Sequence, residues 1–204
     1  MSKLSIKANL KDCGCLILAS GSPRRTQLLS EHNIEHEVVI PNTEELLFHN
    51  DGPLALVKEN AKRKAYEISQ KFSDRLVLGA DTIVSLGDRI FGKPRNLAQA
   101  EEMLLDLGGK THLVSTGVCL AFDENQYLEV RVESSHVCFK DLSKDQIATY
   151  FNHVNPLDKA GAYAIQTKPE MIINEFHGSR SNVIGLPMEL VIPWISEVNA
   201  GFPS

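Results

Sequence analysis

Leu16-Ile17-Leu18-Ala19, followed at once by Ser20-Gly21-Ser22-Pro23-Arg24-Arg25, is the stretch that decides the fold. With Cys15 it makes a short apolar run, too brief for a helix and suited to a strand buried on both faces. Ser22 stands where an N-cap belongs and Pro23 where the first helical residue does, so the spacing predicts a helix from Pro23 to about Glu31. A buried strand feeding a glycine turn and a helix N-terminus also gathers free backbone N–H groups. Ser20 and Ser22 add hydroxyls, and Arg24 and Arg25 add guanidinium forks, a chemistry suited to anions. The spacing is not that of G-x-x-x-x-G-K-[ST], which excludes a Walker A loop. Local pattern alone equally fits a well-capped helix with two solvated arginines.

Working outward, strands and helices keep alternating. Glu37–Ile40 reads as a second strand, ahead of the loop Pro41-Asn42-Thr43-Glu44-Glu45. Leu54, Val57, Ala61, Ala65, Ile68 and Phe72 recur at three- and four-residue steps and predict a long amphipathic helix from Pro53 to Phe72. Leu76 to Leu86 is an apolar strand interrupted by Gly79 and Asp81, turned by Gly87-Asp88 into a short partner that ends before Gly92-Lys93-Pro94. Asn96 caps another helix, with Gly108-Gly109 as its stop. His112–Phe122 and Tyr127–Phe139 read as a pair of long strands, and Ser143-x-x-Gln146 is a capping box opening a helix through Phe151. Beyond it the expectation is a Gly-interrupted loop and strand at Asp158–Gln166, a strand at Met171–Phe176, and a last helix over Leu186–Val198 that Pro193 kinks or restarts. The sum is an α/β protein with a mixed sheet, one domain over residues 1–204 in two lobes around a cleft. A division is expected near residue 92 or 142, although no linker marks it.

The 204 residues hold 21 Lys and Arg against 26 Asp and Glu, a net charge of −5, and 43% are hydrophobic. That balance excludes a disordered chain and argues against a nucleic-acid polymer as partner. The first dozen residues carry three lysines but no apolar run of a signal peptide, and nothing approaches a membrane span. Cys13, Cys15, Cys119 and Cys138 show no zinc or disulfide spacing and read as reduced thiols. The expectation is a soluble, cytoplasmic protein.

Asp81 interrupts Leu76-Val77-Leu78-Gly79-Ala80 and Ile83-Val84, a run that should be buried on both faces. A carboxylate there costs several kcal/mol unless it is paired, hydrogen-bonded or metal-bound. The β-branched residues that follow argue against a turn, which favours a functional role. Lys64 lies on or beside the apolar stripe of its helix, where its ammonium must snorkel out or meet a buried anion. Lys93 is held in Gly92-Lys93-Pro94, a turn where a solvated lysine is the commoner outcome. With Arg24 and Arg25 these lysines would complement a triphosphate if folding brings them together. Glu44-Glu45 beside such cations suits a divalent ion, because Mg²⁺ takes one or two carboxylates plus phosphate oxygens; an acidic solvated loop is the plainer alternative. The seven histidines form no ligand cluster, and no G-x-S-x-G elbow is present.

Together the blocks Leu16–Arg25, Ala61-Lys62-Arg63-Lys64-Ala65, Leu78–Val84, Gly92-Lys93-Pro94-Arg95, Asp158–Gln166 and Gly185-Leu186-Pro187 resemble the Maf family, in order across residues 16–190. The resemblance implies a nucleoside triphosphate pyrophosphatase that cleaves between the α and β phosphates. It also implies an elongated α/β fold similar to inosine triphosphate pyrophosphatases, dependence on a divalent cation such as Mg²⁺ or Mn²⁺, and a homodimer. Carried over by motif, Asp81 resembles the catalytic aspartate, which either accepts a proton from water or orients a metal-bound one. Ser20, Arg24, Arg25, Lys64 and Lys93 match substrate-binding positions, while Glu45 with Asp81 matches the metal site. Arg25, Thr82 and Gln166 match the positions that track specificity and resemble the branch acting on dTTP and UTP. Two alternatives accompany that reading: a nucleotide-binding regulator of septum formation, or the same chemistry on a purine such as 7-methyl-GTP. The chain departs from the family at Ala164, Thr167 and Lys168-Pro169-Glu170, where glycine is frequent, so the loop carrying Gln166 is expected to differ in shape. The metal loop also lacks an additional acidic residue that is common there.

Overall fold

The structure, a computed structural model, describes residues 15–123 and 126–201; Cys13 and the lysines of the first dozen residues lie outside them. The opening strand is β1 (Leu16–Ala19), followed by α1 (Pro23–Glu31), β2 (His36–Val38), α2 (Pro53–Ser69), β3 (Val77–Leu86), β4 (Arg89–Phe91) and α3 (Leu97–Leu107). The long strands β5 (Thr111–Phe122) and β6 (Tyr127–Phe139) come next, then α4 (Lys144–Phe151), a 3₁₀ turn at Ala160–Ala162, α5 (Pro169–Ile172), β7 (Ile173–His177), α6 (Arg180–Ile184) and α7 (Met188–Gly201). Among the described residues, seven strands form one mixed sheet in the order β2-β1-β3-β5-β6-β7, with β4 on the end of β3. β1 pairs parallel with β2 and β3, while the pairs β3–β5, β5–β6 and β6–β7 are antiparallel. Among the described residues no helix is long and apolar enough to cross a membrane.

The local signals explain most boundaries. Asn96 accepts a hydrogen bond from the Gln99 N–H and starts α3, and Ser143 with Gln146 closes both bonds of the capping box on α4. Ser22 occupies the N-cap of α1, yet its hydroxyl makes no capping bond; Ser20 Oγ instead accepts the Ser22 N–H at 3.2 Å.

β3 is buried almost throughout, and its side chains alternate between the two faces of the sheet. Leu76, Leu78 and Ala80 join α1 and α7 in one core with Val118, Leu120 and Trp194, whereas Val77 packs on the other face against Ala61, Ala65 and Ile68 of α2. Farther along the same strands, Val84 and Val114 belong to a third core built from α3, α4, Phe139 and Tyr163. Between the cores the strands carry small polar residues in register: Thr82 opposite Thr116, and Ser115 opposite Ser134. This belt is where the cleft opens.

Three expectations need correction. Asp158–Gln166 holds no strand: it contains the 3₁₀ turn, and Gly161 and Ala162 both take positive φ, which extended backbone excludes. The strand expected at Met171–Phe176 starts later, because Pro169–Ile172 is a helical turn and β7 begins at Ile173. Of the two outcomes expected at Pro193, a restart is excluded, because α7 runs through it. Ala164 and Thr167 keep ordinary φ, and Lys168 takes the left-handed conformation instead, at φ 47°.

Candidate active site

Two adjoining hollows, of about 760 and 850 Å³, share Ser22, Arg24, Arg25, Glu45 and Lys93 and form one trough across the belt. The turn after β1 supplies Ser20 and the first turn of α1 Arg24 and Arg25; β3 supplies Asp81 and Thr82; α2 supplies Lys64; loops supply Glu45, Lys93 and Gln166. Ser20, Arg24, Arg25, Glu45, Lys64, Asp81, Thr82, Lys93 and Gln166 therefore all line this trough, whereas Glu44, paired with Glu45 in the sequence reading, does not. Five cationic side chains line it against three carboxylates, a positive channel in a net-acidic chain.

At its floor Asp81 is buried and faces α2. Its Oδ1 accepts a bond from Lys64 Nζ at 2.7 Å, and Lys64 also donates to Glu45 Oε1 at 2.6 Å. Lys64 does not snorkel; it is buried between two carboxylates. Burial pushes the Glu45 carboxyl up, but the bond from Lys64 and the charges of Lys64, Lys93 and Arg25 outweigh it and hold the group below its ordinary value.

Arg25 is also buried. Its Nε donates to the Gly185 carbonyl at 2.9 Å, Nη1 to Ser20 Oγ at 2.8 Å and Nη2 to Thr82 Oγ1 at 3.1 Å. Burial pulls its pKa down, with the carboxylates of Asp81 and Glu45 opposing. The fork is thus fixed in the wall with donors to spare. Arg24 lies at the rim, donating to Asp158 Oδ2 at 3.0 Å, and Lys159 donates to the other oxygen of that carboxylate at 2.6 Å. Lys93 is exposed and makes no ion pair among the described residues. The far end is apolar, with Val84, Val114, Tyr163, Ala164 and Ile184 as walls and the exposed Gln166 at the edge.

Sequence reasoning passed over Asn60, which reaches Asp81 from α2, and Glu67, which accepts from the Thr43 N–H at 2.8 Å and hydroxyl at 2.5 Å. It also gave no separate role to Asp158 and Gly185, although both stood inside quoted blocks. An invariable spacing exists for the helix residues alone: Asn60, Lys64 and Glu67 recur at i, i+4 and i+7, a stripe of polar groups that a helical wheel would have drawn together.

The donor chemistry fits a divalent cation. Glu45 and Asp81 converge on one ammonium, Glu45 Oε2 is uncommitted among the described residues, and two carboxylates are the share of ligands Mg²⁺ ordinarily takes from protein. No larger group of His, Cys, Asp or Glu is assembled among the described residues. Cys15, Cys119 and Cys138 are unpaired, and burial pushes the Cys119 thiol up to about 12, so it is no nucleophile.

Fold and trough together define an α/β protein with a cation-lined cleft, floored by a buried carboxylate that is paired with a buried lysine. The chain belongs to the Maf-like protein family, whose family model matches residues 15–198. It is 40% identical over 185 residues to the dTTP/UTP pyrophosphatase of Bacillus cytotoxicus, covering 91% of this chain and 96% of that one. It is likewise 40% identical over 188 residues to the dTTP/UTP pyrophosphatase of Symbiobacterium thermophilum, covering 92% and 95%. Among solved structures, that of the Staphylococcus aureus Ham1 protein superposes with a TM-score of 0.49 at 15% identity, covering 91% of this chain and 98% of that one.

Proposed function

We propose that this protein is a nucleoside triphosphate pyrophosphatase that hydrolyses dTTP and UTP to the monophosphate and pyrophosphate. The observation that carries the reading is the Asp81–Lys64–Glu45 constellation at the floor of a trough lined by Arg24, Arg25 and Lys93. Phosphoryl transfer to water needs charge neutralisation and alignment more than covalent help. Arg24 and Lys93 would grip phosphate oxygens from the rim, and Ser20 has its hydroxyl proton left to donate once its oxygen accepts from Arg25 and Ser22. Asp81 would take the proton of the attacking water, with Lys64 fixing its carboxylate. Glu45 and Asp81 would hold the divalent cation, Mg²⁺ or Mn²⁺, which when bound supplies charge neutralisation at the phosphates.

The apolar walls suit a planar base, and Thr82 and Gln166 offer the polar atoms that would read its edge. The 40% overall identity to dTTP/UTP pyrophosphatases supports the pyrimidine preference. Localisation in the cytoplasm and assembly as a homodimer belong to the same family-based reading.

The test is release of pyrophosphate and monophosphate from UTP, dTTP, GTP and 7-methyl-GTP with Mg²⁺ or Mn²⁺. Asp81→Asn should lower the rate by about 100-fold or more, the usual contribution of a positioned base. A variant at the parental rate removes Asp81 from the mechanism. Tight UTP binding without turnover would favour a regulator, and a purine preference would move the base assignment.

A further inference from the structure

We infer that Asn60 is a positioning residue for the reaction, coupling the loop that carries Glu45 to the carboxylate of Asp81; this rests on the pyrophosphatase reading. Asn60 is 3% exposed on α2, one turn before Lys64, on a buried face whose apolar members are Leu56, Val57, Ala61, Ala65 and Ile68. A buried amide in such a place must satisfy its donors and acceptor. Its Oδ1 accepts the Leu46 N–H at 2.8 Å, and its Nδ2 donates both to the Leu46 carbonyl at 3.0 Å and to Asp81 Oδ2 at 3.1 Å. One side chain therefore pairs with both backbone groups of Leu46, as a neighbouring strand would, and with the same NH₂ holds Asp81.

The consequence for Asp81 is geometric. Oδ1 is bound by Lys64 and Oδ2 by Asn60, so the carboxylate plane is fixed at both oxygens. The consequence for Glu45 is that the residue after it is pinned, on a stretch with no helix or strand of its own from Val39 to Gly52. Lys64 touches the same two carboxylates, but by charge, and its grip changes when another ion enters the trough. The amide is neutral and keeps its geometry. None of the phosphate-facing groups Ser20, Arg24, Arg25 and Lys93 hydrogen-bonds Asn60, which separates positioning from substrate binding.

The full-length protein carrying Asn60→Leu tests this. With UTP and Mg²⁺, kcat should fall about tenfold or more, while KM stays within about threefold of the parent. In hydrogen–deuterium exchange, peptides covering residues 42–48 should lose protection while those of β3 and β5 keep it. Asn60→Asp keeps the acceptor for the Leu46 N–H but sets a carboxylate against Asp81. It should retain more loop protection than Asn60→Leu and be at least as inactive. Parental kcat in a folded Asn60→Leu, or parental activity in Asn60→Asp, overturns the inference, as does unchanged exchange over 42–48. If Asn60→Leu does not fold by circular dichroism, Asn60→Ser is judged by the same criteria. A parent that releases no pyrophosphate from UTP or dTTP defeats the pyrophosphatase reading instead, and the exchange comparison then decides whether Asn60 clamps the loop.

Discussion

Lys64 holds two carboxylates on one ammonium, and the three groups differ in burial. The Lys64 and Asp81 side chains are 7% and 9% exposed, whereas Glu45 is 52% exposed. Removing the ammonium would strand Asp81 as an unpaired buried charge and leave Glu45 free to reach water. Lys64→Met should therefore destabilise the fold by about 3 kcal/mol, the lower end of the cost of breaking a buried pair, read from urea unfolding at neutral pH. Unchanged stability would mean that water reaches Asp81. Asp81 was legible in the sequence because a carboxylate inside an apolar β-branched run has few harmless explanations. Lys64 was half legible, since a stem on an apolar stripe fits snorkelling as well as pairing. Asn60 was legible only as one member of a polar stripe on its helix, not as a partner of Asp81: an amide carries no charge to account for, and Leu46 is recognised through backbone atoms that any residue would present.

The site depends on how closely α2 lies on the sheet. An ideal Cβ on Gly79 would stand 2.5 Å from the Ala61 carbonyl oxygen, and one on Gly117, the cross-strand partner of Asp81, would press on the Val57 carbonyl. Both glycines mark a close approach of backbone to backbone. Gly79→Ala should push α2 outward, costing about 1–3 kcal/mol and lowering pyrophosphate release as Lys64 and Asn60 move off Asp81. Gly92→Ala, where nothing lies within 4 Å of the added carbon, should stay within about 0.5 kcal/mol of the parent by thermal unfolding. Elements with strong local signals were readable, as the caps at Asn96 and Ser143 illustrate. Those governed by tertiary burial were not. Tyr163, Ala164 and Ile165 alternate with nothing polar yet are buried as an irregular segment against α3 and α4. Pro193 stays inside α7 because Val191, Trp194, Ile195 and Val198 bury that helix in the core, enough to offset the roughly 3 kcal/mol a helical proline costs.

For the molecule as a whole, stability is tied to a histidine remote from the floor of the trough. His112 is buried with Nε2 at 2.9 Å from the Tyr163 hydroxyl and Nδ1 without a partner among the described residues. Burial pushes its imidazole from an ordinary 6.5 down to about 4. Between those values the unfolded chain binds a proton that the folded one does not, so stability present above pH 6.5 is lost as the pH falls toward 4. The loss amounts to about 3 kcal/mol. His112→Gln should flatten that part of the profile in urea unfolding measured across the same range; an unchanged slope would assign the loss to carboxylates. Net charge, by contrast, was legible but answered a different question: −5 speaks against a polymer of phosphates and leaves room for one triphosphate in a positive trough.

Arg25 meets the carbonyl of Gly185 across 160 residues of chain, whereas Lys64 and Asp81 are only 17 apart. That difference has a meaning in time. A chain emerging from the ribosome and folding from its N-terminus can join the ammonium to its carboxylate while most of the protein is still untranslated. The guanidinium waits for its acceptor until translation is nearly over. The floor pair is local in the chain and the wall contact remote, so a polypeptide stalled before Gly185 would lack the acceptor that fixes the Arg25 fork and the last helix of the core behind β3.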